Sequence, residues 1–341
     1  MYRDGKQVLT SHVHSFILNH GALGDVICSL PAIVNARQRV SDIVAMKVYC
    51  PPWQAELLEH LLAPYGKFTV RSIAEFPLER AKREDWDGGP NSLNAAVHNT
   101  HTRNRVHMVD YAFNYLLDAR PENMLERSYP TAAPIGPRYP LLDEPYVVIP
   151  VGATSDNKLF KAHVMGPIIQ WLADNDLTPV LVGTKVSHTQ AEMGSGVTEK
   201  LVIRDEIEKL PAEVVALCVD LREKTTLLEL RDLCGHAEAV VGVDGGTLHL
   251  AGTTDTNIVY AMGTTLPKHR YIARGGDPNH KIRYVGPRDL ECAGCQSNWA
   301  LSRWDFRFCA YGDNKCMDQL HPDDFINGLK ELLWPKQTPL L

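Results

Sequence analysis

The sequence predicts an α/β protein in which helices cover parallel sheets, divided into two domains. Three observations carry this expectation. Short apolar runs alternate with helix-like segments along the chain, the rhythm of a wound parallel sheet. Several runs, VVGV and VLVG among them, are too continuously apolar to have a wet face, as expected where helices lie on both sides. The 341 residues exceed one ordinary domain and suit two of about 150 each.

Apolar residues make up 44% of the chain and charged residues 22%, the mix of a soluble protein with a real core. A net charge of −6 argues against a general nucleic-acid binder, which carries a net basic face. No stretch approaches the roughly 18 apolar residues of a spanning helix. The opening MYRDGKQVLTSH lacks the apolar core of a signal peptide, so the expected compartment is the cytoplasm. There, eight cysteines read as thiols or metal ligands rather than a disulfide framework.

In order along the chain, strands are expected at 15–19, 43–50 and 68–73, with helices after Leu23 and after Pro52. Residues 80–105 are irregular and read as a long surface loop. This loop holds DWD at 85–87, which follows no apolar strand, and a basic cluster of His98, His101, Arg103, Arg105 and, just past it, His107. A helix is expected over 107–119. The proline-rich stretch 120–145 reads as a linker, because Pro fixes φ and removes a donor. The expected domains are therefore 1–140 and 141–320.

The second half restarts the pattern with strands at 146–152, 179–183, 201–203, 216–221, 239–246 and 257–263. The tail HPDDFINGLKELLW (321–334) has an N-cap-like start. Its apolar Phe325, Ile326, Leu329, Leu332 and Leu333 share a face, which makes it an amphipathic helix.

Four constellations carry chemistry. In GALGD, Gly21 and Gly24 fall short of the G-x-G-x-x-G that a dinucleotide needs. Asp25 instead opens a helix at the carboxyl end of the first strand, where open sheets bind ligands; from position alone, a helix cap is the plainer reading. In VVGVDGGTLHLAG, a buried strand runs into Asp244, Gly245, Gly246, Thr247, Leu248 and His249 at a helix start. Backbone N–H groups and the helix dipole there suit a diphosphate, against the alternative of a tight turn. Gly263 and Thr264 end the next strand beside it. Thr154, Ser155 and Lys158 in ATSDNKLFK offer hydroxyls and a cation to the same phosphates, or form a capped surface helix. Cys292, Cys295, Cys309 and Cys316, spaced C-x2-C-x13-C-x6-C, suit tetrahedral zinc or iron, or are four reduced thiols. Four thiolates leave no open coordination position, so such a site is structural.

In order and spacing these segments resemble glycosyltransferase family 9, the ADP-heptose:heptosyltransferases. GDVICSLPA (24–32) matches the family's G-D-x-x-x-x-x-P-A, and IPVGATSDNKLF (149–160) its turn with a Lys ahead of an aromatic. VLVG (180–183), TLLEL (226–230), DGGTLHLA (244–251), GTT (263–265) and the late CAGC and CM pair (316–317) follow in the family's order. The resemblance covers nearly the whole chain.

It implies a GT-B architecture: two Rossmann-like domains facing each other across a cleft, with the 321–341 segment packing back on the first. The second domain would bind the nucleotide sugar and the first the acceptor. Catalysis would be inverting and independent of a metal ion, with Asp25 as general base and Asp110 as a second candidate. Lys158, Thr154 and the N–H groups of 246–248 would stabilise the departing diphosphate. Gly21, Gly24 and His107 would lie on the acceptor side. Two departures bear on the donor. The usual D-[ST]-G is DGG here, and TKVSH (184–188) replaces the acidic residues that often contact the ribose. The substrate pair expected is ADP-heptose or a similar nucleotide sugar, and an acceptor hydroxyl on a glycolipid, a protein or another molecule. The alternatives are a non-catalytic sugar-nucleotide-binding protein and a GT-B epimerase or hydrolase.

Overall fold

The computed structural model describes residues 2–3, 6–7, 13–18, 23–38, 45–72, 75, 108–117, 120–136, 142, 144–184, 186–187, 201–297, 309 and 311–335. The loop 80–105, Gly21 and His107 lie outside the described residues. The chain folds as two compact units. One is formed by the described residues of 1–132 and 268–278, the other by those of 133–187, 201–267 and 279–341.

The first unit is built on a parallel sheet of β1 (Val13–Ile17), β2 (Ala45–Cys50) and β3 (Phe68–Ser72), arranged in sequence order. Helix α1 (Leu23–Gln38) follows β1 and packs on α3 (Met108–Leu117). Val26, Ile27, Leu30 and Ile33 of α1 and Val109 and Phe113 of α3 are fully buried. Between β2 and β3, α2 (Ala55–Leu62) buries Leu57, Leu58, Leu61 and Leu62, the i, i+1, i+4, i+5 face that its spacing dictates. The stretch expected as a linker is compact at 120–136. Tyr129 is buried, donates its N–H to the Ala273 carbonyl at 3.0 Å, and places its hydroxyl 3.0 Å from the Cys28 thiol. Gly276 N–H donates to the Ser128 hydroxyl at 2.8 Å, so 268–278 is tied to this unit.

The second unit holds six parallel strands: β4 (Tyr146–Pro150), β5 (Thr178–Val182), β6 (Val219–Asp220), β7 (Ala239–Val243), β8 (Asn257–Ala261) and β9 (Ile282–Val285). Their spatial order is β6-β5-β4-β7-β8-β9. Counted within the unit this is 3-2-1-4-5-6, the doubly wound order of nucleotide-binding sheets, and it reverses between β4 and β7. Helices α4 (Ala162–Ala173), α5 (Leu227–His236) and α6 (Gly246–Ala251) accompany the strands. A capping box starts α5: Thr226 accepts from Glu229 N–H and the Glu229 carboxylate from Thr226 N–H.

Three expectations differ. The run ALCVDL gives only the two-residue β6, because Ala216 and Cys218 N–H groups bond back to the Ala212 and Val215 carbonyls of a preceding helical turn. The segment at 201–203 contributes Leu201–Val202, paired antiparallel with Val186–Ser187 in a separate ribbon. The C-terminal helix α7 (Pro322–Leu333), expected against the first domain, packs in the second unit on α4, β8 and β9. Phe325 and Leu329 are fully buried there, and Phe325 stacks on Phe160 at 5.4 Å, so the helix's apolar face is filled by this core.

Candidate active site

In sheets of this order ligands bind beyond the strand ends at the point of reversal, here between β4 and β7. The loops that leave those two strands carry the residues singled out from the sequence. After β4 the chain turns at Gly152, whose φ of +95° suits glycine; a Cβ would meet Ile203 Cγ2 at 2.6 Å. Ala153 then pairs with Arg204 through both backbone hydrogen bonds, and a short helical turn, Asp156–Lys158, follows. Arg204 pins that turn with two bonds to the Asp156 carboxylate, at 2.8 and 2.9 Å. Thr154 is exposed, while Ser155 and Lys158 are half-buried.

After β7 the chain reaches Asp244, whose side chain is only 7% exposed. The carboxylate gathers three donors: Lys158 Nζ at 2.7 Å and Thr265 Oγ1 at 3.2 Å on Oδ2, and the Tyr260 hydroxyl at 2.5 Å on Oδ1. His249 Nε2 lies 3.2 Å from the Tyr260 oxygen and 3.7 Å from Oδ1. A buried carboxylate is costly unless paired and hydrogen-bonded, and Asp244 has both. Gly245, Gly246, Thr247 and Leu248 form the entry to α6, where the Leu248 N–H bonds back to the Gly245 carbonyl at 3.1 Å. Gly242 lets this turn close over β4: a Cβ would meet Leu248 at 3.2 Å and Pro150 at 3.3 Å.

Gly263 and Thr264 follow β8 and are buried. Their carbonyls accept the N–H groups of Gly294 and Gln296, at 2.8 and 2.9 Å. A Cβ on Gly263 would meet Met317 Cε at 2.3 Å and the Cys316 side chain at 3.0 Å. The structure thus uses this loop to seat the cysteine segment. Burial, with Cys295, Cys309 and Cys292 nearby, pushes the Cys316 thiol up to about 12. Burial first, and neighbouring thiols second, also raise Cys292 and Cys295. The four cysteines therefore share one neighbourhood. As placed, however, no three His, Cys, Asp or Glu side chains among the described residues form a group that would hold a metal ion.

In the first unit, Asp25 and Gly24 lie half-buried in the first turn of α1, just beyond β1. A carboxylate there is favoured by the helix dipole. Asp110, in the first turn of α3, is engaged differently: Arg127 donates Nε to Oδ1 at 2.6 Å and Nη2 to Oδ2 at 3.0 Å. The hydrogen bond to Asp110 is also the main reason that the Arg127 pKa is raised.

Residues 108–274 match the family model for glycosyltransferase family 9 (heptosyltransferase). The chain carries a glycosyltransferase family 9 domain. Among solved structures it is similar to the iron-containing dodecameric glycosyltransferase TibC of enterotoxigenic E. coli, with a TM-score of 0.62 and 15% identity over 94% of this chain and 78% of that one. It is also similar to E. coli ADP-heptose LPS heptosyltransferase II (TM-score 0.58, 15% identity, 94% and 98% covered) and to E. coli heptosyltransferase WaaC with ADP (0.52, 14%, 94% and 99%). A search of curated proteins finds no match. At such identities the structural likeness speaks to the fold alone, which is the α/β GT-B fold of family 9. No helix among the described residues is long and apolar enough to cross a membrane.

Three residues of the two clusters escaped the sequence reading. Tyr260 had a signal: a tyrosine inside an apolar strand must find a partner for its hydroxyl. Thr265 closes the GTT segment, and its hydroxyl reaches Asp244 from the end of that loop. Arg127 sits in a stretch read as linker and had none.

Proposed function

We propose that the chain is an inverting glycosyltransferase that moves a sugar from ADP-heptose, or a close relative, to an acceptor hydroxyl. The observation that carries this reading is the meeting of Lys158 and Asp244 at 2.7 Å, on the two loops that leave the sheet at its reversal. In this reading the donor's diphosphate lies over the start of α6, near Gly245, Gly246 and Leu248. Thr154, Ser155, Thr247 and Lys158 supply hydroxyls and a cation. His249, Gly263 and Thr264 shape the loops around it. TibC has been solved with ADP-D-β-D-heptose, and WaaC with ADP, which favours an adenine nucleotide here.

The reaction is a single displacement. Asp25 takes the proton from the acceptor hydroxyl as that oxygen attacks the anomeric carbon. The bond from that carbon to the diphosphate oxygen breaks on the opposite face, and the electron pair leaves on the nucleoside diphosphate. Lys158 and the N–H groups of 246–248 meet the charge that develops, in the role a divalent metal plays elsewhere. Gly21, Gly24 and His107 belong to the acceptor side. Asp110 is the second candidate base. Both its oxygens already accept from Arg127, at 2.6 and 3.0 Å.

The acceptor is a hydroxyl-bearing glycolipid, protein or other molecule. Eight cysteines without a disulfide suit a reducing compartment, and we assign the reaction to the cytoplasm. We also propose a structural zinc or iron on Cys292, Cys295, Cys309 and Cys316, which would have to draw together thiols that do not converge as placed; TibC is iron-containing, and four thiolates would leave no place for a substrate. Less than about half a metal per chain, in protein never exposed to a chelator, removes that assignment.

A thermal-shift screen against ADP-, UDP-, GDP- and CDP-sugars tests the donor, since a ligand that binds the folded state raises its melting temperature. Asp25→Asn should abolish product while ADP still binds. If no nucleoside diphosphate binds the wild type, the reading fails. Turnover of the sugar nucleotide without any acceptor would replace it with an epimerase or hydrolase.

A further inference from the structure

Lys158 poses a problem of charge. Its ammonium is 2.7 Å from Asp244 Oδ2, so the cation assigned to the diphosphate is engaged with a neighbour. To meet phosphate oxygens it must loosen from Asp244. Asp244 is 7% exposed, and water can replace little of what it would lose. Something else must hold that carboxylate.

We propose that Tyr260 is a positioning residue, whose hydroxyl, together with that of Thr265, holds the Asp244 carboxylate while Lys158 turns to the donor's diphosphate. The inference rests on the donor site proposed above. Tyr260 is fully buried near the end of β8, between Val259 and Ala261, where an aliphatic residue would pack as well. Its hydroxyl donates to Asp244 Oδ1 at 2.5 Å, the oxygen that Lys158 does not touch. Once that proton is committed, the phenolic oxygen is left as an acceptor towards His249 Nε2 at 3.2 Å. The imidazole stands edge-on to the phenol at 5.9 Å between ring centres. His249, Tyr260 and Asp244 thus form a directed chain that ends on the carboxylate, and Thr265 closes its other oxygen at 3.2 Å. Hydrogen bonds to an ionised group are about twice as strong as neutral ones, which fits them to hold a charge whose cation moves. Without the tyrosine hydroxyl, Asp244 depends more on Lys158, and the lysine is less available to the donor.

The test is a double-mutant cycle on ADP affinity, read by calorimetry with the wild type, Tyr260→Phe, Lys158→Met and the double variant. Each is first checked for an intact unfolding transition. Tyr260→Phe should weaken ADP about tenfold and Lys158→Met about thirtyfold, with the double variant no weaker than Lys158→Met within about twofold, because both act through one interaction. A purely structural tyrosine predicts the opposite: its loss would persist undiminished when Lys158 is absent. That result overturns the proposal, as does unchanged affinity in Tyr260→Phe. If Tyr260→Phe does not fold, Thr265→Val enters the same cycle with the same two outcomes. The wild-type arm separates the two levels of argument. A wild type that binds no ADP removes the donor site itself, whereas additive losses on a binding wild type remove only the role of Tyr260.

Discussion

Arg231→Met should be among the most destabilising substitutions in the second unit, and its cost can be worked from the contacts. The Arg231 side chain is fully buried on α5. Its guanidinium donates to Thr253 Oγ1 at 3.2 Å, the Thr253 carbonyl at 3.0 Å, the Ala133 carbonyl at 3.2 Å and Asp232 Oδ1 at 3.2 Å. Asp232 in turn accepts the N–H groups of Ile135 and Gly136 at 3.0 and 2.8 Å, so the two residues fasten the strap 133–136 to the helix. Met fills most of the volume but strands these acceptors. Breaking a buried pair costs about 3–5 kcal/mol, of which removing a costly buried charge returns part; about 3 kcal/mol is the expected net loss. Burial is what lowers the Arg231 pKa, which is the sign of that cost. Asp232→Ala should be worse than Arg231→Met, since it removes the carboxylate beside a buried guanidinium and takes from Ile135 and Gly136 N–H the acceptor they share. Urea unfolding reads both midpoints at constant slope, and the melting temperature should fall by roughly 6–12 °C in Arg231→Met. A loss below about 1 kcal/mol in Arg231→Met, or a milder Asp232→Ala, would refute the reasoning.

The remaining expectations test the site and its surroundings. Lys158→Met should lower kcat by about 10²–10³-fold if the ammonium meets charge on the leaving diphosphate, measured as initial release of nucleoside diphosphate; a change under threefold excludes that role. Gly263→Ala should cost about 1–3 kcal/mol in chemical unfolding, because the new methyl would overlap Met317 Cε at 2.3 Å and crowd Cys316. An unchanged midpoint would mean that the cysteine segment yields freely. Hydrogen bonds from Arg222 hold the Asp220 carboxyl below the usual aspartate range. A depressed folded-state pKa gives stability above the unfolded value of about 3.9, lost as pH falls through the folded one. Arg222→Met should therefore flatten the acid-unfolding profile below about pH 4, and an identical slope would remove this account.

What could be read from the sequence follows from how local each signal is. The turn DGGTLHLA was legible because its parts are contiguous: an apolar strand, a carboxylate, two glycines and a helix start act within one stretch of chain. The contact between Lys158 and Asp244 spans 86 positions and is fixed by the order of the sheet, which lays β7 beside β4. Each loop could be nominated for the same phosphates, but their pairing with each other belongs to topology. Arg127 shows the opposite limit. Proline content marked its stretch as a linker, yet Tyr129 anchors that stretch through the Ala273 carbonyl, a partner that no local pattern announces.

The same reasoning explains why a buried tyrosine is the most informative residue that the sequence reading passed over. In NIVYAMG the period and the apolarity specify a central strand, and a phenol satisfies both. Nothing in the strand itself distinguishes Tyr260 from a packing residue. Its hydroxyl, however, cannot be left unpaired in a closed core, where an orphaned donor costs about 1–3 kcal/mol. A fully buried tyrosine in a parallel strand therefore implies a polar partner near its ring tip. Here Asp244, at the end of the adjoining strand and 2.5 Å away, is that partner. Strand adjacency converts an unsatisfied hydroxyl into a pointer to the site. The neighbouring loop was already nominated on its glycines, and the tyrosine reaches it through an independent physical requirement.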